Sequence, residues 1–227
     1  MSSKFGIIIQ ARIGSKRLYG KSIKKIGKVP ILIRIVRSIR QNNFFKNVKI
    51  VIATTNLIND NKIIKLAKTE KVQIFRGSEN NVLERYYEAA KKNKIKNILR
   101  LTSDNPFVNI IFLRKLVEIH LKNKNDYTSS KLNLPIGIGA EIMNMKSLRL
   151  SYKFAKTKDE KEHVCDYILN NANKFKIQNL EFKYKFQKNK KLRLTVDTEK
   201  DLKFCRLFFK KKLKILNESI YYDSYSN

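Results

Sequence analysis

The chain has 227 residues, 42% of them apolar, which is enough to bury a core and excludes a disordered chain. Lys and Arg total 50 against 19 Asp and Glu, a net charge of +31. The two cysteines, Cys165 and Cys205, form no C-x-x-C and no Cys/His cluster, which excludes a disulfide framework and a zinc site.

No stretch approaches the ~20 apolar residues of a spanning helix, so membrane insertion is not expected. The first apolar run, Phe5–Ile9, is broken by Gln10 and Arg12 and is no secretory segment, so a cytoplasmic protein with both thiols reduced in the core is expected. The charge has two readings. One is a polyanionic partner, and a nucleic-acid-binding protein without catalysis is the rival function. The other is an AT-rich codon usage that writes Lys, Asn and Ile everywhere. The lysines are spread along helix faces and not gathered in a block, as on a solvated surface. There is no helix-turn-helix, RNA-recognition signature or aromatic stacking platform, so no specific nucleic acid is expected as a partner.

In chain order, GIIIQA (6–11), VKIVIATT (48–55), VQIFRG (72–77) and NILRLTSD (97–104) are short β-branched runs that predict buried parallel strands. Between them lie helical patterns. PILIRIVRSIRQNN opens with Pro30 in its first turn, NDNKIIKLAKTEK offers Asn59 or Asp60 as its cap, and residues 80–94 carry an apolar face at helical spacing. The alternation predicts right-handed βαβ units and a parallel sheet covered on both faces. The second half predicts strands at 126–130, 140–144, 175–182 and 192–197. It also predicts a helix opening at Asp159 and a long amphipathic helix over 199–216, followed by a loosely held polar tail. His120 lies in a Lys-rich helix and is expected on the surface. No linker or repeat divides the chain, which reads as one domain over 1–227.

The segment Arg12–Lys21 leaves the first strand at its carboxyl end, where open parallel sheets bind ligands. Arg12, Lys16, Arg17 and Lys21 crowd it without an acidic neighbour, and Gly14 and Gly20 let backbone amides approach an anion. A polyphosphate fits such a loop. It is not the G-x-G-x-x-G fingerprint, and Gly14 and Gly20 enclose five residues where a Walker A loop needs four, which argues against a P-loop kinase. Asp104 and Asp197 each end a predicted strand. They could hold a divalent ion on the phosphates, or cap the next turn. Arg100 and Thr102 share a face of the strand leading to Asp104.

ARIGSKRLYGK resembles the A-R-x-G-S-x-R-L-P-G-K signature of the cytidylyltransferases that activate sugars for bacterial surface polysaccharides, a group that includes the synthetases of CMP-linked acidic sugars. Four further segments resemble that family's motifs in the same order: IFRGSENNVLERYYEAA, LTSDNPFV, EHVCDYI and LRLTVDTEKDL. The resemblance covers nearly the whole chain. It implies an α/β, three-layer αβα, Rossmann-like nucleotide-diphospho-sugar transferase fold with a mostly parallel central sheet. It also implies CTP and a small-molecule sugar acceptor as substrates, Mg²⁺ as cofactor, and a homodimer. By the same resemblance Arg12, Arg17 and Lys21 are catalytic phosphate contacts. Gln10, Ala11, Gly14, Ser15, Thr102 and the turn Arg76, Gly77, Ser78 bind the nucleotide, and Glu141 and His163 face the sugar. Asp104 and Asp197 hold the metal, with Asp201 behind them. Two departures stand out. Tyr19 replaces the family's Pro, and Gly139 stands where an Asp is common, in a Gly137–Gly139 loop expected to be mobile and to allow close approach.

Overall fold

A computed structural model describes residues 5–182 and 192–212 of the chain. Strands β1 (Gly6–Gln10), β4 (Ile50–Thr55), β5 (Gln73–Gly77) and β6 (Asn97–Thr102) run parallel, in the spatial order β5-β4-β1-β6. The sheet continues with β8 (Glu141–Asn144), β7 (Tyr127–Ser129) and β9 (Ile177–Asn179), and β8 is antiparallel to both of its neighbours. A small antiparallel pair, β2 (Lys25–Ile26) and β3 (Val29–Pro30), lies apart. The mostly parallel sheet expected from the sequence is therefore present, with one reversed strand.

The apolar runs explain why both faces are covered. Ile7 and Ile9 point into one core and Ile8 into the other, and all three are inaccessible to solvent. The first core receives α1 (Ile31–Arg40), α2 (Asn61–Thr69), α4 (Ile110–Asn123) and α8 (Glu199–Lys212). The second receives α3 (Val82–Lys92), α5 (Met145–Phe154) and α7 (Asp166–Asn170). Helix α3 is pinned under the sheet by Tyr86, whose buried hydroxyl donates to the Leu101 carbonyl at 3.0 Å. The chain winds outward from β1 through β4 to β5, then crosses back to β6. The order thus reverses between β1 and β6, and their carboxyl ends open a crevice there.

Four expectations need correction. The predicted helix from Asp159 is two short ones, α6 (Lys158–Glu162) and α7, because the chain leaves helical geometry at His163, with φ −101° and ψ 91°. Residues 192–197 add no strand to the sheet. They run extended over the 136–139 loop, with Leu194 N donating to Ile136 O at 2.7 Å and Val196 N to Asp104 O at 2.8 Å. Strand β9 covers only three of the eight predicted residues, although Leu180 and Phe182 beyond it are buried. His120 is not on the surface. It is buried on the sheet side of α4, joined to Thr128 Oγ1 at 2.9 Å and Asn97 Oδ1 at 3.3 Å. Cys165 and Cys205 are buried free thiols, as expected. Among the described residues no helix is long and apolar enough to cross a membrane. The end of the predicted 199–216 helix and the tail lie outside the described residues.

Burial pushes the His120 imidazole down from 6.5 to about 4, with Asp126 opposing weakly. The unfolded chain takes up a proton as pH falls below 6.5, and the folded chain does so only near 4. The stability this ring contributes is thus complete above pH 6.5 and lost progressively between those values. Urea unfolding at a series of pH values should show wild type losing more stability from pH 7 to 4.5 than His120→Gln, whose side chain does not titrate.

Candidate active site

The loop after β1 is held by two apolar anchors, Ile13 and Leu18, both buried, which leaves Gly14, Lys16 and Arg17 outside. Backbone bonds fold it tightly. Ser15 N and Gly20 N both donate to Ile13 O, at 2.8 and 2.9 Å. Gly20 has φ +67°, a left-handed geometry suited to glycine, and opens the short turn that presents Lys21. The next residue is pinned across the crevice, with Ser22 Oγ 2.6 Å from Ser103 Oγ beyond β6.

The residue that fixes this loop was not legible as functional. Asp60 was expected only as a possible helix cap, but it makes no side-chain cap to α2. Its buried carboxylate turns inward. Oδ1 accepts from Ile13 N at 2.8 Å, and Oδ2 accepts from Thr54 Oγ1, Thr55 N and Thr55 Oγ1 at 2.8, 3.0 and 2.5 Å. The end of β4 and the base of the loop are thereby tied to one anion. Only the hydroxyl pair Thr54-Thr55, at a strand end a few residues before Asp60, could have signalled it.

Lys21 reaches from the loop to both candidate metal ligands. Its Nζ donates to Asp104 Oδ2 at 2.7 Å and to Asp197 Oδ1 at 2.9 Å. Arg17 Nη2 shares Asp197 Oδ1 at 2.9 Å, and Arg193 Nη2 takes Asp197 Oδ2 at 2.6 Å. Burial opposes ionisation of Asp197, but the Lys21 bond and the charges of Lys21, Arg17 and Arg193 outweigh it and hold the carboxyl below its ordinary range. Asp201 braces this turn. It accepts from Asp197 N at 3.0 Å and Thr198 N at 2.9 Å, while Thr198 Oγ1 accepts from Asp201 N at 3.2 Å in a reciprocal cap on α8.

Arg17, Lys21, Asp104 and Asp197 line a cleft of about 1100 Å³ at the β1/β6 crevice, together with Gln10, Ala11, Arg12, Gly14, Ser15 and Thr102. A connected recess of about 510 Å³ is lined by Lys131, the 134–141 segment and His163. His163, at the break between α6 and α7, faces both. The structure does not bring Arg76, Gly77 and Ser78 to the cleft. Arg76 is spent on Thr55 O, Leu57 O and Asn61 Oδ1, at 3.1, 2.9 and 3.0 Å. Gly77 packs against Phe75, and Ser78 accepts from Asn81 N at 3.0 Å. The next residues, Glu79–Val82, form the wall instead, with buried Arg85 behind them. Arg85 was also missed, because its helical spacing gives no sign that it borders a cleft.

Glu141 is present at the recess but is committed to the protein. Oε2 accepts from Arg100 Nη1 at 2.6 Å and Lys131 Nζ at 2.7 Å, and Oε1 accepts from the Tyr127 hydroxyl at 2.7 Å. Burial disfavours its charge, yet Arg100 and Lys131 hold its carboxyl down at about 2. It lines the recess with its oxygens already engaged by the protein. Arg100 Nη2 in turn reaches Gln10 Oε1 at 3.2 Å, so the cleft beside the cationic loop and the recess share one guanidinium. Gly137, with φ +102°, permits contact with the 192–197 segment, since a Cβ there would lie 2.4 Å from the Leu194 carbonyl carbon.

Residues 6–224 match the family described as cytidylyltransferase. The chain belongs to the cytidylyltransferase family. It is 34% identical over 207 residues to the spore coat polysaccharide biosynthesis protein SpsF of Bacillus subtilis, covering 90% of this chain and 85% of that one. A cytidylyltransferase structure from Leptospira borgpetersenii superposes with a TM-score of 0.81 at 29% identity, over 96% of this chain and 99% of that one. The structure of CMP:2-keto-3-deoxy-manno-octonic acid synthetase complexed with CTP gives a TM-score of 0.68 at 14% identity, over 91% and 98%, a likeness of fold alone. This cytidylyltransferase is accordingly a nucleotidyltransferase enzyme, and its cationic loop stands at the carboxyl ends of the strands, where open α/β sheets bind ligands.

Among the described residues no three His, Cys, Asp or Glu side chains cluster for a metal. Two converging carboxylates still suit Mg²⁺, which keeps waters and takes its remaining ligands from phosphates. Asp104 and Asp197 fit that pattern, because one cation already contacts both.

Asp60→Asn would set an amide against donors that now face carboxylate oxygens, leaving at least one buried donor unmatched, at a cost of about 1–3 kcal/mol. Because the affected donors include Ile13 N in the loop, calorimetric affinity for a nucleoside triphosphate should fall at least severalfold more than affinity for the monophosphate. Thr54→Val, which removes a bond away from the loop, should lose stability without that split.

Proposed function

We propose that the chain transfers a cytidylyl group from CTP to an oxygen of a sugar or sugar phosphate and releases pyrophosphate. The observation that carries this reading is the meeting of Lys21 with Asp104 and Asp197 at the mouth of the cationic loop. The family supports CTP, and the name of the 34% identical relative supports a sugar destined for polysaccharide.

The acceptor oxygen donates an electron pair to the α-phosphorus as the bond to the α–β bridging oxygen breaks, and that pair leaves on pyrophosphate. A hydroxyl acceptor gives up its proton to solvent, and a phosphate acceptor has none to lose. Arg12, Arg17 and Lys21 bind the β- and γ-phosphates and stabilise charge developing on the leaving group. The amides around Gly14 and Ser15 orient the chain of phosphates. Asp104 and Asp197 would hold Mg²⁺, which when bound neutralises charge on the phosphates. The recess beside His163 and Lys131 receives the acceptor and aligns it, and much of the rate comes from that positioning.

Pyrophosphate release from each of the four nucleoside triphosphates, with Mg²⁺ and a panel of acidic sugars and sugar phosphates, tests this reading. The expected outcome is release from CTP that depends on one acceptor and stops with EDTA. Asp197→Ala and Lys21→Ala should each lower turnover roughly a hundredfold or more with an unchanged circular dichroism spectrum. Wild-type turnover in a folded Asp197→Ala protein removes the metal assignment. The absence of both release and any rise in melting temperature with CTP and Mg²⁺ removes the function.

A further inference from the structure

We propose that Lys21 is an exchangeable cation, whose ammonium neutralises Asp104 and Asp197 until a nucleoside triphosphate draws it away and frees the two carboxylates for the metal. The inference rests on the assignment of those carboxylates as metal ligands made above.

The competition is for the same atoms. Lys21 Nζ engages Asp104 Oδ2 and Asp197 Oδ1, and Asp197 Oδ2 is already taken by Arg193. Both carboxylates are largely withdrawn from water, with side-chain exposures of 22% and 13%. Two partly buried negative charges so placed are costly without a counterion. In the free chain Lys21 supplies that charge, and the more exposed Arg17 adds to it on the same Asp197 oxygen. A divalent ion arriving alone must displace an ammonium at hydrogen-bond distance and enter a site whose charge is already balanced.

A triphosphate changes the balance. It brings several negative charges to the loop that carries Lys21 and Arg17, and offers the ammonium another partner. The move needs only the side chain. The backbone is held by the Ser22–Ser103 contact and by the Gly20 turn, whereas the four-carbon lysine stem is flexible and its charge is a compact point. When the stem swings to the phosphates, Asp104 Oδ2 is released and Asp197 Oδ1 keeps only its contact with the exposed Arg17, which the same phosphates draw. Nucleotide and metal therefore bind with positive coupling, each raising the affinity of the other by the same factor. A free chain binds the metal weakly, which keeps the ion from settling on the carboxylates before the phosphates can share it.

The test is a Mn²⁺ binding isotherm, read by electron paramagnetic resonance of the free ion, on the full chain without nucleotide. Lys21→Met should bind Mn²⁺ on the order of tenfold more tightly than wild type, although its transfer activity is lost. Adding Asp197→Asn to that variant should abolish the gain. Arg17→Gln, at an exposed position where folding is not at risk, should give a smaller tightening of the same sign. Affinity in folded Lys21→Met no greater than wild type overturns the exchange. If Lys21→Met does not fold, unchanged affinity in Arg17→Gln does so. A gain that survives Asp197→Asn places the ion elsewhere and also overturns it. Failure of the exchange leaves pyrophosphate release from CTP by wild type intact. Failure of the transferase reading removes that release and leaves the Mn²⁺ comparison standing.

Discussion

One ammonium group holds together parts of the chain that are far apart in sequence. Lys21 bonds to residues 83 and 176 positions away. Loop closure over such lengths rises only slowly with length, so bringing these residues near one another is not the main difficulty. The difficulty is to place three charged ends within one hydrogen-bond radius. The sheet does this in steps. β1 and β6 lie side by side, so the residues that follow them emerge together, and the Ser22–Ser103 contact fixes their spacing. The 192–197 segment is then laid against the backbone at Asp104 and Ile136, which sets Asp197 opposite. The cleft inherits its shape from these backbone contacts, and the charges are placed on them last.

A loop with four cations in ten residues repels itself unless anions are supplied. The structure supplies them from different distances. Asp60 accepts from the loop's backbone out of the core, and so orders the loop without neutralising its outer face. Asp197 takes two of the loop's cations, Arg17 and Lys21, and Asp104 shares the second, at the mouth. On the exchange proposed above, the outer charges stay available to a ligand because a metal would satisfy the carboxylates in their place.

Much of this was legible in the sequence, and what was not shares a physical cause. The β-branched runs, the glycines of the opening loop and the Asp104 that ends a strand are local signals; the contacts of Lys21 with Asp104 and Asp197 were not expected, and Asp197 ends a segment outside the sheet. The misses depend on long-range packing. His120 sits among lysines in sequence, but α4 turns that one position toward Thr128 on β7. Asp60 precedes a helix, where a cap is the local expectation, yet a buried amide 47 residues away claims its carboxylate. The pattern at 192–197 has the alternation of a strand, but its partner is a loop and not the sheet. Arg76 belongs to a motif that reads as a nucleotide turn, but carbonyls at the end of β4 and Asn61 occupy its guanidinium first. A sequence pattern marks the residue type suited to a role, and competition among nearby partners decides whether the role is taken.

The two halves of the cleft are built differently, and this bears on how substrate choice could vary while the chemistry stays fixed. The half proposed for the nucleotide is made of strand ends, a buried aspartate and paired backbone bonds. The recess proposed for the acceptor is made of the 131–139 loop and the break between α6 and α7 at His163, above the Arg100–Glu141–Tyr127 cluster where the sheet reverses direction. Loops of this kind tolerate change more readily than strand ends do. The recess is not independent, however. Gly137 lies against the Leu194–Thr195 backbone with room for no side chain, and that backbone leads directly to Asp197. A change of loop conformation made to fit a different acceptor would press on the segment that carries a proposed metal ligand. The glycine therefore couples the recess loop to the segment that carries Asp197. It lets the recess loop approach the 192–197 segment closely, and it limits how far that loop can be remodelled before Asp197 is displaced.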